Sequence, residues 1–358
     1  MSNSDIRVVP GPANYFSHPG SLERLSDFFS ADQLSRAVWV YGERALAGAE
    51  PFLPAAFHLP EAKKILFTGH CSERDVAGLV QASGDDRAVV IGVGGGALLD
   101  SAKVLARRLG VPLVAIPTIA ATCAAWTPLS VWYSDAGQAL NFEIFDDANF
   151  LVLVEPRIIL NAPAEYLLAG IGDTLAKWYE AVVLAALPLT VRLGINGALA
   201  IRDVLLASSE TALADQRRGD LTQAFRDVVE AIIAGGGMVG GLGERYTRVA
   251  AAHAVHNGLT VLPQTDKFLH GTKVAYGILV QSALLGQDDV LAQLVQAYQR
   301  FNLPTTLAAL EVDINNRAEL DRVIAHTLRP GESIHYLPVT LTPEVLRAAF
   351  EKVEYFSR

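Results

Sequence analysis

Cysteine is scarce in this chain, with Cys71 and Cys123 the two thiols among 358 residues. A disulfide framework is thereby excluded as the organising device, and a reducing, cytoplasmic setting is expected. Runs of like charge are also missing. The 29 Lys and Arg against 38 Asp and Glu give a formal net charge of -9 without a basic tract, which argues against nucleic acid as a partner. No long apolar run is present. Residues Met1 to Arg7 lack a signal core, and the Ala-rich stretch from Ala181 to Leu189 is too short to span a bilayer, so no membrane role is expected. Internal repeats and low-complexity linkers are lacking as well. What is abundant is hydrophobic sequence, 51% of the chain, enough at this length for two domain cores.

Between residues 36 and 153 short β-branched runs alternate with helical stretches. Ala37–Tyr41, Lys64–Thr68, Ala88–Gly92, Pro112–Pro117 and Leu151–Val154 read as strands. Buried strands separated by amphipathic helices predict a mostly parallel sheet covered on both faces. From about Pro163 the period becomes helical, over 163–183, 190–214, 219–241, 245–258 and 270–286. The expected fold is an α/β Rossmann-like dinucleotide-binding domain, 1–160, followed by an all-α metal-binding and substrate domain, 161–358.

Gly92-Val93-Gly94-Gly95-Gly96 stands between the strand ending near Ile91 and a helix that opens at Ala97 and Leu98. Such a turn lets backbone amides and the helix N-terminus approach a pyrophosphate, and its alternative is a tight structural turn. Further along, Asp173, His253 and His270 offer one carboxylate and two imidazoles. Three such groups suit a catalytic divalent metal, zinc above all, with one position left open to a substrate oxygen. Taken singly they have plainer readings. Asp173 stands where a carboxylate would favour a helix start, and His253 within Ala251-Ala252-His253-Ala254-Val255 fits a hydrogen-bonded core residue.

Several runs together are specific. The GGGxxxDxAK stretch, Pro117-Thr118-Ile119-Ala120-Ala121-Thr122, Leu129 to Asp135, Gly172-Asp173, the His253/His256 pair and His270-Gly271 resemble the glycerol dehydrogenase branch of the iron-containing alcohol dehydrogenases over nearly the whole chain. The resemblance implies the two-domain fold of that family, an active site in the cleft between domains, homo-oligomers, and Asp173, His253 and His270 as metal ligands. It implies Gly96, Ala97, Leu98, Leu99, Asp100, Thr118, Ala121, Thr127, Leu129, Val131 and Tyr133 as the lining of a nicotinamide cofactor, beside the turn glycines Gly94 and Gly95. His256, one helical turn from His253, reads as a residue that orients the site or relays a proton.

Departures from the family pattern carry the rest of the reading. Glycerol dehydrogenases place an NAD-binding aspartate where this chain has Gly42, and Arg44 two residues on could pair with a 2′-phosphate, so NADP(H) is expected over NAD(H). The alternative is that Arg44 is an ordinary surface cation. The polyol-binding aspartate of those enzymes is replaced by Cys123, and their serine by Ala121. Lys177 lies one turn after Asp173 on the same helix face. Both changes make the pocket more positive and point to a 2-oxo acid reduced to a 2-hydroxy acid, with Lys177 and Cys123 at the substrate. For Lys177 the plain alternative is a solvent-facing helix lysine. Cys123 has no activating cation near it in sequence and reads as pocket wall rather than nucleophile. Trp126 and Trp132 fit either pocket or packing, and Glu332-Ser333-Ile334-His335 is read as structural. Competing functions are an NAD-dependent polyol dehydrogenase, a lyase like 3-dehydroquinate synthase, for which Lys177, Lys267 and Lys273 are the nearby cations, and a silent cofactor-binding protein.

Overall fold

A computed structural model describes residues 6–135, 137–181 and 188–358. Residues 182–187, within the Ala-rich stretch and at the end of the helix expected over 163–183, lie outside the described residues, as do 1–5. The strands are β1 (Asn14–Ser17), β2 (Ala37–Tyr41), β3 (Lys63–Leu66), β4 (Val89–Gly94), β5 (Leu113–Pro117), β6 (Leu129–Tyr133), β7 (Ala139–Ile144) and β8 (Leu151–Val154). The helices include α1 (Glu43–Ala49), α2 (Glu73–Ser83), α3 (Gly96–Leu109), α4 (Ala164–Ala181), α5 (Leu189–Arg218), α6 (Gln223–Glu230), α7 (Ala251–Leu259), α8 (His270–Leu284), α9 (Asp288–Phe301), α10 (Arg317–Thr327) and α11 (Pro343–Phe356), with a further helical stretch at Gly236–Gly243.

The chain forms two compact units. One holds Val9–Pro163 with Asp215–Gly241, and the other holds Ala164–Ala214 and Leu242–Arg358 with the residues up to Val8. Asp215–Gly241 joins the sheet unit for visible reasons. Gln216 Nε2 donates to the carbonyls of Ile159 at 3.2 Å and Ala162 at 3.0 Å, and Trp126 lies so close to Gly237 that a Cβ there would stand 2.4 Å from its ring. Trp126 also donates to the Pro10 carbonyl at 2.8 Å, and Trp132 donates to Glu143 at 2.9 Å. Both indoles are thus engaged in packing and local hydrogen bonds.

Six strands form a parallel sheet in the order β1-β8-β5-β4-β2-β3. Its interior strands β4, β5 and β8 are buried throughout, as continuous apolar runs covered on both faces must be. From β2 the chain moves outward to β3, then crosses back to β4 and continues to β5 on the opposite side. The sheet therefore reverses between β2 and β4, and ligands of open α/β sheets bind at the carboxyl ends beside such a reversal. The turns that open there are those after Tyr41 and after Gly94.

The antiparallel hairpin β6–β7 was not expected from sequence, because every residue of β7 is exposed and no buried alternation marks it. Lys103 on α3 anchors the hairpin's start, donating to the Leu129 carbonyl at 2.6 Å and to Asp100 Oδ1 at 2.8 Å. The other oxygen of Asp100 accepts from the Val131 amide at 3.1 Å.

In the helical unit α4, α7 and α8 pack together with almost no side chain between their axes at key points. A Cβ on Gly271 would lie 1.9 Å from the Ala169 carbonyl oxygen, one on Gly172 would lie 2.4 Å from the Gly271 carbonyl oxygen, and one on Gly277 would lie 2.3 Å from that of Ala252. These glycines set the helix separations. Gly271→Ala is expected to destabilise the protein by about 1–3 kcal/mol, the range for overpacking a rigid core, as measured by urea unfolding; unchanged stability would contradict this packing account.

Candidate functional site

Asp173, His253 and His270 converge in the helical unit. Their ligand-type atoms all lie within 4.8 Å of one another, with Asp173 Oδ1 at 3.5 Å from His253 Nε2 and 3.3 Å from His270 Nε2. Asp173 sits well inside α4, which begins at Ala164, so the helix-start reading of this carboxylate is overturned: the first turn lies more than two turns before it. Its neighbours Gly172 and Gly271 permit the close approach of α4 and α8 that brings His270, the first residue of α8, to the carboxylate.

Glu180 does the rest for His253. It lies seven residues after Asp173, on the same face of α4, and is 1% exposed. Oε1 accepts from the amides of Ala250 at 2.6 Å and His253 at 3.0 Å, and Oε2 lies 2.6 Å from His253 Nδ1. Gln281 accepts from the amides of Ala251 and Ala252 at 2.9 and 3.3 Å. The N-terminal amides of α7 are therefore capped from α4 and α8 rather than by the helix's own residues, and a carboxylate there suits the helix dipole. This is why α7 begins at Ala251, later than the helix expected from residue 245.

Hydrogen bonding of Nδ1 to a buried carboxylate is the arrangement that turns Nε2 of a histidine toward a metal. The donor set of one carboxylate oxygen and two imidazole nitrogens fits a divalent ion with an open coordination position. Burial alone would raise the pKa of Asp173, but hydrogen bonding to His253 and His270 and the charge of Lys177 outweigh it and hold the carboxyl well below its usual range. Burial lowers the pKa of His253, yet Glu180 and Asp173 overcome this and raise it to about 9. His256 lies with Nε2 at 3.0 Å from His270 Nδ1. Burial, then the charges of His270 and Lys273, hold its pKa well below the ordinary value.

Lys177 is 7% exposed, which overturns the solvent-facing alternative. Lys267 instead pairs with Glu311, and Lys273 donates to the Thr265 carbonyl at 3.3 Å. Both are committed to internal partners, which disfavours the phosphate-binding cluster a dehydroquinate synthase-like lyase needs.

In the sheet unit, Gly94 ends β4, Gly95 precedes α3 and Gly96 opens it, with Ala97, Leu98, Leu99 and Asp100 in its first turns. A Cβ on Gly94 would meet Leu98 at 2.9 Å and one on Gly95 would meet Ile119 at 2.8 Å, whereas one on Gly96 has its nearest protein atom at 3.4 Å. The first two glycines are required by packing, while a Cβ on Gly96, at the start of α3, would make ordinary contact with Thr122 and Ala124. Gly42 precedes α1 within reach of Leu98, so the turns after β2 and β4 are neighbours. Arg44 is exposed in the first turn of α1, and Glu43 beside it is exposed as well. Thr118 follows β5 and donates its amide to the Gly94 carbonyl at 3.1 Å. Ala121, half-buried Cys123 and Thr127 lie in the following loop, and Leu129, Val131 and Tyr133 lie on β6. Both oxygens of Asp100 face protein partners.

A dinucleotide-type sheet and a three-ligand metal constellation in one chain define the class of metal-assisted oxidoreductases. A family model described as iron-containing alcohol dehydrogenase matches residues 12–156. The chain is 79% identical to hydroxycarboxylate dehydrogenase A of Escherichia coli (strain K12), over 99% of both chains. It is 34% identical to a glycerol dehydrogenase of Pseudomonas putida, over 96% of each. A crystal structure of a probable glycerol dehydrogenase from Sinorhizobium meliloti 1021 superposes with a TM-score of 0.84 at 28% identity, covering 98% of this chain and 99% of that one. The chain belongs to the iron-containing alcohol dehydrogenase family, which is NAD(P)-dependent and uses a divalent metal.

The pKa of His253 gives a pH dependence. In chelated protein a metal must displace the Nε2 proton that His253 keeps up to about pH 9, so apparent zinc affinity should rise about tenfold per pH unit between pH 7 and 8.5. The proton's own contribution to stability has the opposite sign: it is full below the unfolded value near 6.5 and lost as pH rises through about 9. Chelator competition at several pH values measures the first effect, and a flat profile would contradict it.

Proposed function

We propose that this enzyme reduces 2-oxo acids to 2-hydroxy acids, with NADPH giving the hydride and a solvent-derived proton completing the alcohol. A divalent metal at Asp173, His253 and His270, zinc in this reading, supplies Lewis-acid polarisation of the ketone. Lys177 is the observation that carries the substrate class. Lys177, 7% exposed and one helical turn from Asp173, already has that carboxylate as an anionic neighbour, and a substrate carboxylate bound beside the metal would be the second anion its charge attracts. Cys123, where polyol enzymes of the family carry a carboxylate, supports the same reading by leaving no negative charge to repel an acid. The hydroxycarboxylate dehydrogenase relative supports it independently.

The coenzyme choice rests on Gly42 and Arg44. Glu43, exposed in the same turn, opposes a 2′-phosphate, so the reading requires Arg44 to dominate. Turnover with NADPH and NADH at equal concentration tests it, and a strong NADH preference refutes it. A cytoplasmic setting rests on thiols not joined as a disulfide, and a homo-oligomer rests on the family resemblance.

Loss of reduced-nicotinamide absorbance with 2-oxobutanoate, 2-oxoglutarate and dihydroxyacetone, before and after chelation, tests the substrate class. Oxo-acid turnover abolished by chelation is expected. Turnover of dihydroxyacetone alone would return the enzyme to polyol chemistry. Lys177→Ala should raise KM for the oxo acid roughly 10- to 100-fold, the loss of one charge-assisted bond, while KM for the coenzyme holds. An unchanged oxo-acid KM would remove Lys177 from the substrate.

A further inference from the structure

Behind His270 runs a chain of hydrogen bonds that ends on a charged pair. His270 Nδ1 lies 3.0 Å from His256 Nε2, and His256 Nδ1 lies 3.0 Å from Asn257 Oδ1. Asn257 Nδ2 donates to Glu332 Oε2 at 2.9 Å, and Glu332 Oε1 accepts from Arg329 Nε at 2.7 Å. Glu332 is 7% exposed and stands just before the turn Ser333–Tyr336, where Ser333 donates to the Ala250 carbonyl at 2.5 Å.

Each link dictates the next. A carboxylate only accepts, so the Asn257 group that meets Glu332 must be its NH2, which turns the amide oxygen to His256. That oxygen only accepts, so the proton of His256 stands on Nδ1. A neutral imidazole has one donor and one acceptor, so His256 Nε2 accepts, and the partner that donates to it is His270 Nδ1–H. With Nδ1 committed as a donor, the nitrogen of His270 left for a metal is Nε2, the atom that faces Asp173, where the ion would take the place of the proton shared with that carboxylate. Glu180 imposes the same Nδ1–H arrangement on His253 directly.

We propose that Glu332, acting through Asn257 and His256, is the positioning residue that fixes the tautomer of His270 and keeps its Nε2 available to the metal. The inference rests on the metal reading of Asp173, His253 and His270. It gives Glu332 and Asn257 a role at a distance, since neither contributes a ligand, and sets Arg329 as the clamp that holds the carboxylate in register.

Zinc affinity of the full chain, measured by chelator competition after metal removal, tests the proposal. Asn257→Leu removes the acceptor and should weaken binding about 10- to 100-fold, the usual effect of losing an outer partner of a ligand histidine. The double exchange Asn257→Asp with Glu332→Gln reverses the donor and acceptor between the two side chains but leaves an oxygen toward His256. It should restore affinity to within about threefold of the parent on the same principle. Histidine 15N spectra of the unsubstituted protein provide a readout independent of variant folding, with the proton of His256 expected on Nδ1. A proton on His256 Nε2, or Asn257→Leu binding zinc within twofold of the parent, overturns the proposal. A parent chain that binds no zinc would instead remove the metal reading beneath it.

Discussion

The helical unit depends on one buried carboxylate. Glu180 receives the Ala250 and His253 amides and faces His253 Nδ1, so a single group on α4 starts α7 and aims a ligand. Removing it would leave buried donors without partners, at a cost of about 1–3 kcal/mol for each. The same contacts make His253 basic, so the electrostatics that orient the ligand also set the proton with which a metal must compete. Stability and chemistry are coupled at this point because the capping group and the orienting group are the same.

Close packing then determines where the ligands stand. Gly172 precedes Asp173, Gly271 follows His270, and Gly277 meets the carbonyl of Ala252, which precedes His253. Each ligand therefore adjoins a point where two helix backbones nearly touch, and its position is fixed by backbone rather than by flexible side chains. The sheet unit uses another device. The buried pair Asp100 and Lys103 spends its hydrogen bonds on Leu129 and Val131, holding the hairpin β6–β7 against α3 so that the turn at Gly94 to Gly96 keeps its shape.

Much of this was legible in the sequence, and the failures have physical causes. The sheet strands announce themselves as apolar runs because both faces are covered, and β2 and β8 fall on the expected residues. The short strand β1, half-buried along its length, and the fully exposed β7 carry no such signal. Asp173, His253 and His270 could be singled out because together, with Gly172 and Gly271 beside two of them, they resemble the family's pattern, although each alone has a plainer reading. Glu180 could have been found as a further acid on an apolar helix, spaced to share a face with Asp173 and Lys177. The link between Asn257 and Glu332 could not, since it spans 75 positions; the run Glu332 to His335 stands out in the sequence, but read as structural it does not point to Asn257. The start of α7 was misplaced for the same reason: its caps come from residues far away in sequence.

The most direct test of this account is a crystal structure of zinc-loaded protein with anomalous data at the zinc edge. The account predicts one peak about 2.0–2.2 Å from an Asp173 oxygen, His253 Nε2 and His270 Nε2, the usual zinc bond lengths, with Glu180 still bonded to His253 Nδ1. A peak bound through His256, or zinc held without Asp173, would contradict it.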